Sequence, residues 1–166
     1  MLKLTLLEFL ARGIPEAFLF IFAAYAFSKN VLNIRRYLLS SVLFASMGYF
    51  IRLLPINYGV NIILSIIIFI IIIININQID TIKSIKAVVI TVILEFACEG
   101  INILIIQSIL KLNVNYIFSN PTLKILYGIP SLLLMGCIIA IYYIILLKRK
   151  ELRFFKDGEV MQQDSK

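Results

Sequence analysis

Long runs of apolar residues recur along the whole chain, and they constrain its fold more than any other feature. Residues 66–74 contain only isoleucine and phenylalanine. A helix needs roughly 20 apolar residues to cross a bilayer, and several runs here reach or approach that length. Of the 166 residues, 61% are hydrophobic, with a mean hydropathy of +1.01. A soluble core of this size has no room for so much apolar surface, so the sequence predicts an integral membrane protein.

The apolar runs predict an all-α bundle. They are continuous, whereas a membrane strand alternates apolar and polar residues, and an isolated strand in lipid would leave its backbone groups unpaired. The third run has few polar residues and is expected to be a lipid-facing helix. The sequence predicts five membrane-spanning helices, at residues 4–27, 37–54, 60–76, 87–110 and 125–147.

Short connections join these spans, so residues 1–147 form one transmembrane domain and residues 148–166 a cytoplasmic tail. With five spans, the first and third connections and the tail share one side, which carries eleven basic residues. The other side carries four, namely Lys3, Arg52, Lys111 and Lys124. Because basic residues concentrate on the cytoplasmic side, we expect the N-terminus outside and the C-terminus in the cytoplasm.

Two of the spans contain charged residues at helical spacing. Glu8, Arg12 and Glu16 follow each other at intervals of four in the first span, which allows ion pairs along one helix face. In the fourth span, intervals of four, four and three produce a second polar stripe. This stripe consists of Thr91, Glu95, Glu99 and Asn102.

Charges at bilayer depth are costly, about 2.5–3.5 kcal/mol each on insertion scales, so they normally face the bundle interior and pair. We expect ion pairing by Glu8, Arg12 and Arg52. Two acids would then be left over, and Glu16 and Glu99 are the most central candidates.

Such acids should be protonated or hold a cation. The candidate ligand- or ion-binding residues are Glu16, Glu95, Glu99 and Asn102. The alternative interpretation is a structural network of hydrogen bonds and ion pairs that holds the helices together without a ligand.

The two stripes also share a sequence pattern. Residues 7–14 (LEFLARGI) and 94–101 (LEFACEGI) have Leu, Glu, Phe, Gly and Ile at the same offsets. The two helices would run in opposite directions, as in transporters with inverted repeats, whose binding sites lie at the repeat interface. A chance match in an apolar chain is the other explanation.

The composition argues against most enzymatic chemistry. There is no histidine, and the two cysteines lie in separate spans. Histidine-based triads and HExxH metal sites are therefore excluded, and no Walker or Rossmann glycine pattern occurs. The expectation is a non-enzyme without a cofactor or a metal. The net charge of +7 is interpreted as a membrane signal rather than as nucleic-acid binding.

The basic charge is concentrated in the tail, where aromatic residues accompany it. Such a juxtamembrane segment binds anionic lipid. The residues expected to contact lipid are Lys148, Arg149, Lys150, Arg153 and Lys156, and the polar residues from Asp157 onward are expected to be frayed.

A membrane domain of several helices that continues through YYIILLKRKELRFF (residues 142–155) into a basic segment resembles the membrane-embedded sensor half of bacterial peptide-sensing histidine kinases of quorum-sensing systems. Those kinases continue into a phospho-accepting helix and an ATP-binding domain, whereas this chain stops at Lys166. The resemblance implies a sensor module that acts through another protein.

Two functions follow as hypotheses for a multi-pass protein of the cell membrane. The first is a sensing, regulatory or accessory protein that contacts a membrane-protein partner through its helices and its polar stripe. The second is a small proton- or cation-coupled transporter or transporter subunit, which would work as a homo-oligomer because alternating access needs two halves.

The buried polar stripe predicts a difference between two charge reversals. Glu99→Lys should impair folding far more than Glu151→Lys, because only the first puts an unpaired cation at bilayer depth. Expression level and thermal stability in detergent measure the difference. Equal tolerance of both changes would contradict the buried stripe.

Overall fold

Each of the five apolar runs forms a helix in the computed structural model, which describes residues 9–108, 121–152, 154–156 and 159–161. A π-helical turn at Phe9–Gly13 leads directly into the first α-helix. The helices are α1 (Ile14–Phe27), α2 (Ile34–Leu53), α3 (Tyr58–Asn75), α4 (Thr81–Ser108) and α5 (Pro121–Lys148), and two short strands follow, β1 (Phe154–Lys156) and β2 (Glu159–Met161).

The prediction of five helices is confirmed, and three of the helical stretches support the predicted membrane character. Three helical stretches are long and apolar enough to cross a membrane, namely Phe9–Phe27, Thr81–Ser108 and Ile125–Lys148. Gly59–Asn75 is apolar but shorter, and α2 is less apolar because arginines lie near both of its ends. These features indicate a membrane protein.

Some helices extend beyond the predicted spans. α4 begins at Thr81 rather than at residue 87, and α5 begins at Pro121 rather than at residue 125. The predicted limits followed the apolar residues, whereas backbone hydrogen bonding continues through the polar turn that precedes them. Helix α4 contains 28 residues, about 42 Å at 1.5 Å per residue, which exceeds the roughly 30 Å thickness of the hydrocarbon core.

The π-helical turn at Phe9–Gly13 ends two residues before Pro15. Pro15 has no N–H, so the carbonyl four residues earlier, that of Ala11, lacks its usual α-helical donor. A wider turn bonds to the fifth residue rather than the fourth, which suits this position. Arg12 therefore projects from irregular backbone next to the start of α1.

Helix α1 lies at the centre of the bundle. It packs against α2, α4 and α5, while α3 packs against α2 and α4 and α4 packs against α5. The other four helices thus form an arc around α1 in chain order. The π-helical turn contacts both α2 and α5, the two ends of the arc.

Two clusters of buried side chains hold α1 in this position. On one side, Phe20 of α1, Phe44 of α2 and Phe69 of α3 form a three-ring cluster with centroid distances of 4.8–5.8 Å. On the other side, small residues of α1 let α4 and α5 approach closely, as small residues do in membrane bundles. This second cluster comprises Ala23, Ala26, Cys98, Met135 and Ile139.

The expectation that the third span is simply a lipid-facing helix was wrong for one of its faces. Ile63, Ile67 and Ile71 are exposed to the surroundings of the bundle, but Phe69 and Ile73 are buried in the core. A run of identical isoleucines has no polar residue to mark the buried face, so its sequence does not show which side packs.

The first and third connections and the beginning of the tail lie at the same end of the bundle, as the sequence predicts. Tyr25 Oη donates a hydrogen bond to Asn77 Oδ1 at 3.1 Å, and Lys29 Nζ lies 2.6 Å from Glu151 Oε2. The Lys29–Glu151 hydrogen bond lowers the pKa of the Glu151 carboxyl and raises the pKa of the Lys29 ammonium. Both side chains are well exposed, so screening keeps the pair weak.

The tail contains structure that the sequence analysis did not predict. Strands β1 and β2 pair antiparallel, with Phe154 opposite Met161 and Lys156 opposite Glu159. The protein is therefore a helical bundle with a short β-hairpin beyond it. Lys148, Arg149 and Lys150 are exposed at the end of α5, where contact with lipid stays a prediction, and Arg153 lies outside the described residues.

Packing of α3 can be tested with two isoleucines of the same helix. Ile73→Ala should lower the free energy of unfolding by about 2 kcal/mol. This value is near the lower end of the usual range for a buried isoleucine, because a side chain that leaves the core of a membrane bundle enters lipid rather than water. Ile73 is fully buried and Ile71 is 51% exposed. Ile71→Ala is the control, and thermal unfolding in detergent should show little change for it. Equal losses would contradict the described orientation of α3.

Candidate functional site

Five charged residues from three helical segments meet inside the bundle, and we call them the charge cluster. Arg12 pairs through Nη2 with Glu99 Oε1 of α4, and its Nε lies 3.9 Å from Glu16 Oε2 of α1. Arg52 of α2 extends the chain, with Nη2 at 3.5 Å from Glu16 Oε1. The charge cluster consists of Arg12, Glu16, Arg52, Glu95 and Glu99.

Arg12 is the central member because it contacts two acids from different helices. Its guanidinium lies against Gly128 of α5, where an added Cβ would be 3.1 Å from Nη1 and 3.5 Å from Nε. Only glycine leaves that space open. Nε is also buried without a hydrogen-bond partner among the described residues, so Arg12 retains one unused donor.

Glu16 and Arg52 line a cleft between α1, α2 and α3. Its volume is about 70 Å³, and its walls include the rings of Phe9 and Tyr49 and the hydroxyl-bearing Ser65. One water needs only roughly 10–15 Å³ measured in this way, so the cleft can hold a few waters. The Arg52 side chain is 44% exposed and that of Glu16 is 16% exposed, so the cleft connects the buried end of the ion-pair chain with the surroundings.

Glu95 differs from the other acids of the cluster. It is 8% exposed, and no described residue forms a hydrogen bond or an ion pair with it. It lies at the middle of α4, which runs Thr81–Ser108. The charges that act on it are those of Glu16, Glu99, Arg12 and Arg52. With three carboxyls and two guanidiniums, the cluster has one negative charge too many if all of its groups are ionised.

Asn102 extends the polar stripe of α4 to α5. Its Nδ2 donates a hydrogen bond to the carbonyl oxygen of Tyr127 at 2.6 Å. Pro130 leaves the adjacent carbonyl, that of Leu126, without its usual helical donor. Asn102 therefore joins α4 and α5 at a locally weakened stretch of α5, directly before the Gly128 that Arg12 contacts.

The structure brings together most residues that the sequence selected. Arg12, Glu16, Arg52, Glu95 and Glu99 meet in the charge cluster, and Asn102 lies beside it. Glu8 lies outside the described residues. The distribution of pairs differs from the expectation, because Glu16 and Glu99 are paired with arginines and the acid left over is Glu95. Which arginine reaches which acid depends on helix rotation, and sequence spacing does not specify it.

Three contributors to the site were not selected from the sequence for this role. Gly128 supports the Arg12 guanidinium, Tyr127 accepts the hydrogen bond from Asn102, and Tyr49 forms part of the cleft. Phe9 packs on Tyr49 with ring centroids 4.8 Å apart. In the sequence, the position of Gly128 near Pro130 was the available sign that another group approaches α5 closely there. It does not indicate that this group is Arg12.

The two segments with matching sequences meet in the site. Arg12 and Glu99 occupy the same position in residues 7–14 and 94–101, and they pair with each other. This contact is compatible with an inverted repeat but does not require one, since any two neighbouring helices with opposite charges would form it. Among the described residues, no three His, Cys, Asp or Glu side chains come together to hold a metal ion.

Three helical stretches long and apolar enough to cross a membrane indicate a helical membrane protein, and a group of paired charges lies beside its central helix. No protein-family model, curated protein or solved structure matches this chain. Any function is therefore inferred from the chemistry of the charge cluster and from the bundle around it.

The contact between Arg12 and Gly128 predicts the effect of an added methyl group. Gly128→Ala should destabilise the bundle by about 1 kcal/mol, since the guanidinium must move by a few tenths of an ångström and its pairing with Glu99 weakens. Gly100→Ala on α4 is the matched control, because nothing lies within 4 Å of its added Cβ. Thermal unfolding of both variants in detergent makes the comparison, and a Gly128→Ala protein as stable as Gly100→Ala would contradict the described contact.

Proposed function

We propose that this protein is a small multi-pass membrane protein of sensing or accessory type, which recognises a ligand or a partner helix through the charge cluster and acts through another membrane protein. The observation that carries the proposal is the continuous ion-pair chain Arg52–Glu16–Arg12–Glu99. It ties α2 and α4 to the N-terminal end of the central helix. A ligand that replaces one partner would change how these helices are held together.

The energetics of buried ion pairs support this interpretation. Removing one partner of a buried pair typically costs about 3–5 kcal/mol because the other charge is left uncompensated. Exchanging one partner for another avoids that cost. The ion pairs can therefore have two arrangements of similar energy, one with the original partner and one with the exchanged partner. Two such states are the physical requirement for a switch.

The topology proposed for the membrane has all five helices crossing and the N-terminus outside. α2 is the least apolar of the five, but Arg35 and Arg36 lie at one end and Arg52 at the other. Long basic side chains near helix ends reach the interface, which permits insertion of the apolar residues between them. The Lys29–Glu151 end of the bundle is then cytoplasmic, where the exposed Lys148–Lys150 segment would meet anionic lipid.

A sensing role also suits the size of the site. The cleft of about 70 Å³ holds a few waters or a small part of a ligand, whereas binding pockets that enclose an organic molecule measure roughly 300–1,000 Å³. An output partner is part of the proposal, in line with the resemblance of the sequence to the membrane-embedded sensor half of peptide-sensing kinases. The cell membrane is the proposed location.

The second candidate is a proton- or cation-coupled transporter working as an oligomer. Glu95 favours it, because an unpaired acid at the middle of a spanning helix marks an ion pathway in many membrane proteins. The water-sized cleft beside Glu16 would form the entrance to such a pathway.

Purification of the tagged protein from its native membrane in mild detergent tests the first function against the second. We expect a kinase, ATPase or permease to co-purify in stoichiometric amount with the wild type. Glu99→Gln should reduce its recovery at least several-fold, while Glu151→Gln, in an exposed pair at the end of the bundle, should leave it unchanged.

Recovery of the protein alone as a defined homo-oligomer would contradict the accessory role. Proton and cation flux into liposomes would then be measured for the wild type and for Glu95→Gln. A flux that Glu95→Gln abolishes and Glu151→Gln preserves would establish the transporter instead.

A further inference from the structure

Glu95 is the one member of the charge cluster for which the described residues provide no partner. It is more than nine-tenths buried and lies midway along α4. Thr91, one turn away, directs its hydroxyl proton to the backbone carbonyl of Ala87 at 2.7 Å. An ionised carboxylate in an apolar interior without a partner is very costly, and such groups normally become neutral.

Among the described residues, the charges around Glu95 come from the π-helical turn, α1, α2 and α4. The π-helical turn and α1 contribute Arg12 and Glu16, α2 contributes Arg52, and α4 itself contributes Glu99 and the thiol of Cys98. The sequence of α3 contains no acidic or basic residue, and the charged residues of α5, Lys124 and Lys148, lie near its ends. The two guanidiniums neutralise two carboxyls and leave the third.

We infer that Glu95 is a proton-binding site. Its proton decides which acids of α4 Arg12 pairs with: Glu99 only when Glu95 is protonated, and both Glu99 and Glu95 when it is not. In the described arrangement Arg12 pairs with Glu99, which matches the state in which Glu95 carries the proton. When the proton leaves, the new carboxylate attracts Arg12, whose buried Nε has an unused donor.

A proton suits the site better than a metal cation. Sodium and divalent cations need several oxygen ligands, and no three carboxylate or thiol side chains of the described residues converge on one point. A proton needs only the carboxyl itself. Because Arg12 lies in the π-helical turn, its movement toward Glu95 would shift that turn along α4.

The inference adds pH as a stimulus to the proposed sensing function. It rests on that function only where the movement of the π-helical turn is treated as a signal. The experiment below measures the proton directly in the purified protein. Partner recovery, by contrast, tests the proposed function, so that either can fail without the other.

Infrared spectroscopy of the protein in lipid nanodiscs detects the C=O stretch of a protonated carboxylic acid, which a carboxylate lacks. We expect one such band in the wild type at neutral pH, its disappearance in Glu95→Gln and its persistence in Glu151→Gln, which lies in an exposed pair outside the charge cluster. Glu95→Asp should shift the band, and this variant decides the question if Glu95→Gln does not fold. A wild-type spectrum without the band, or a band that survives in Glu95→Gln, would overturn the inference.

The linked movement of Arg12 has its own readout. The chain contains no tryptophan, so Phe9→Trp places a single fluorophore in the π-helical turn. Its emission should change with pH at the same midpoint as the infrared band, and the change should be absent when Glu95→Gln is added. A pH response that persists in the double variant would exclude Glu95 as its origin. A sodium-dependent response at constant pH that requires Glu95 would identify a cation site and overturn the proton assignment.

Discussion

The cost of a charge in lipid is the constraint on which this structure depends. A guanidinium or carboxylate at bilayer depth needs a partner, either from the same helical stretch or from a neighbouring helix. Arg12 meets this requirement with Glu16 and Glu99, and Arg52 adds a second contact to Glu16. The position of α1 between α2 and α4 is therefore coupled to the electrostatics of the interior.

The central helix is suited to this position by its small residues and by its irregular start. Alanines of α1 permit close packing against α4 and α5, while Phe20 fills the wider space toward α2 and α3. Pro15 disrupts α-helical hydrogen bonding where Arg12 must reach out, and a π-helical turn occupies that place. The same segment thus combines tight packing at one end with an adaptable backbone at the other.

The charge cluster contains three carboxyls and two guanidiniums, and this imbalance is what the functional hypotheses rely on. If the ion pairs served only to hold helices together, an equal number of acids and bases would suffice. The additional buried carboxyl of Glu95 forms no hydrogen bond or ion pair with the described residues, and it makes the charge of the cluster depend on whatever neutralises it. This sensitivity links the sensing and transport hypotheses, since both require a site that responds to a ligand.

The sequence by itself determined the five helices and the residues that form the polar interior, because apolar length and helical spacing are local properties of the chain. Only the tertiary structure decided that Glu95 rather than Glu16 or Glu99 lacks a partner, that Gly128 makes room for Arg12, and that α3 buries Phe69 and Ile73. These facts depend on which helices are neighbours and how each is rotated about its axis. In a chain so rich in isoleucine, packing between helices determines these rotations. They cannot be derived from residue spacing, because a uniformly apolar helix has no polar face that marks its orientation.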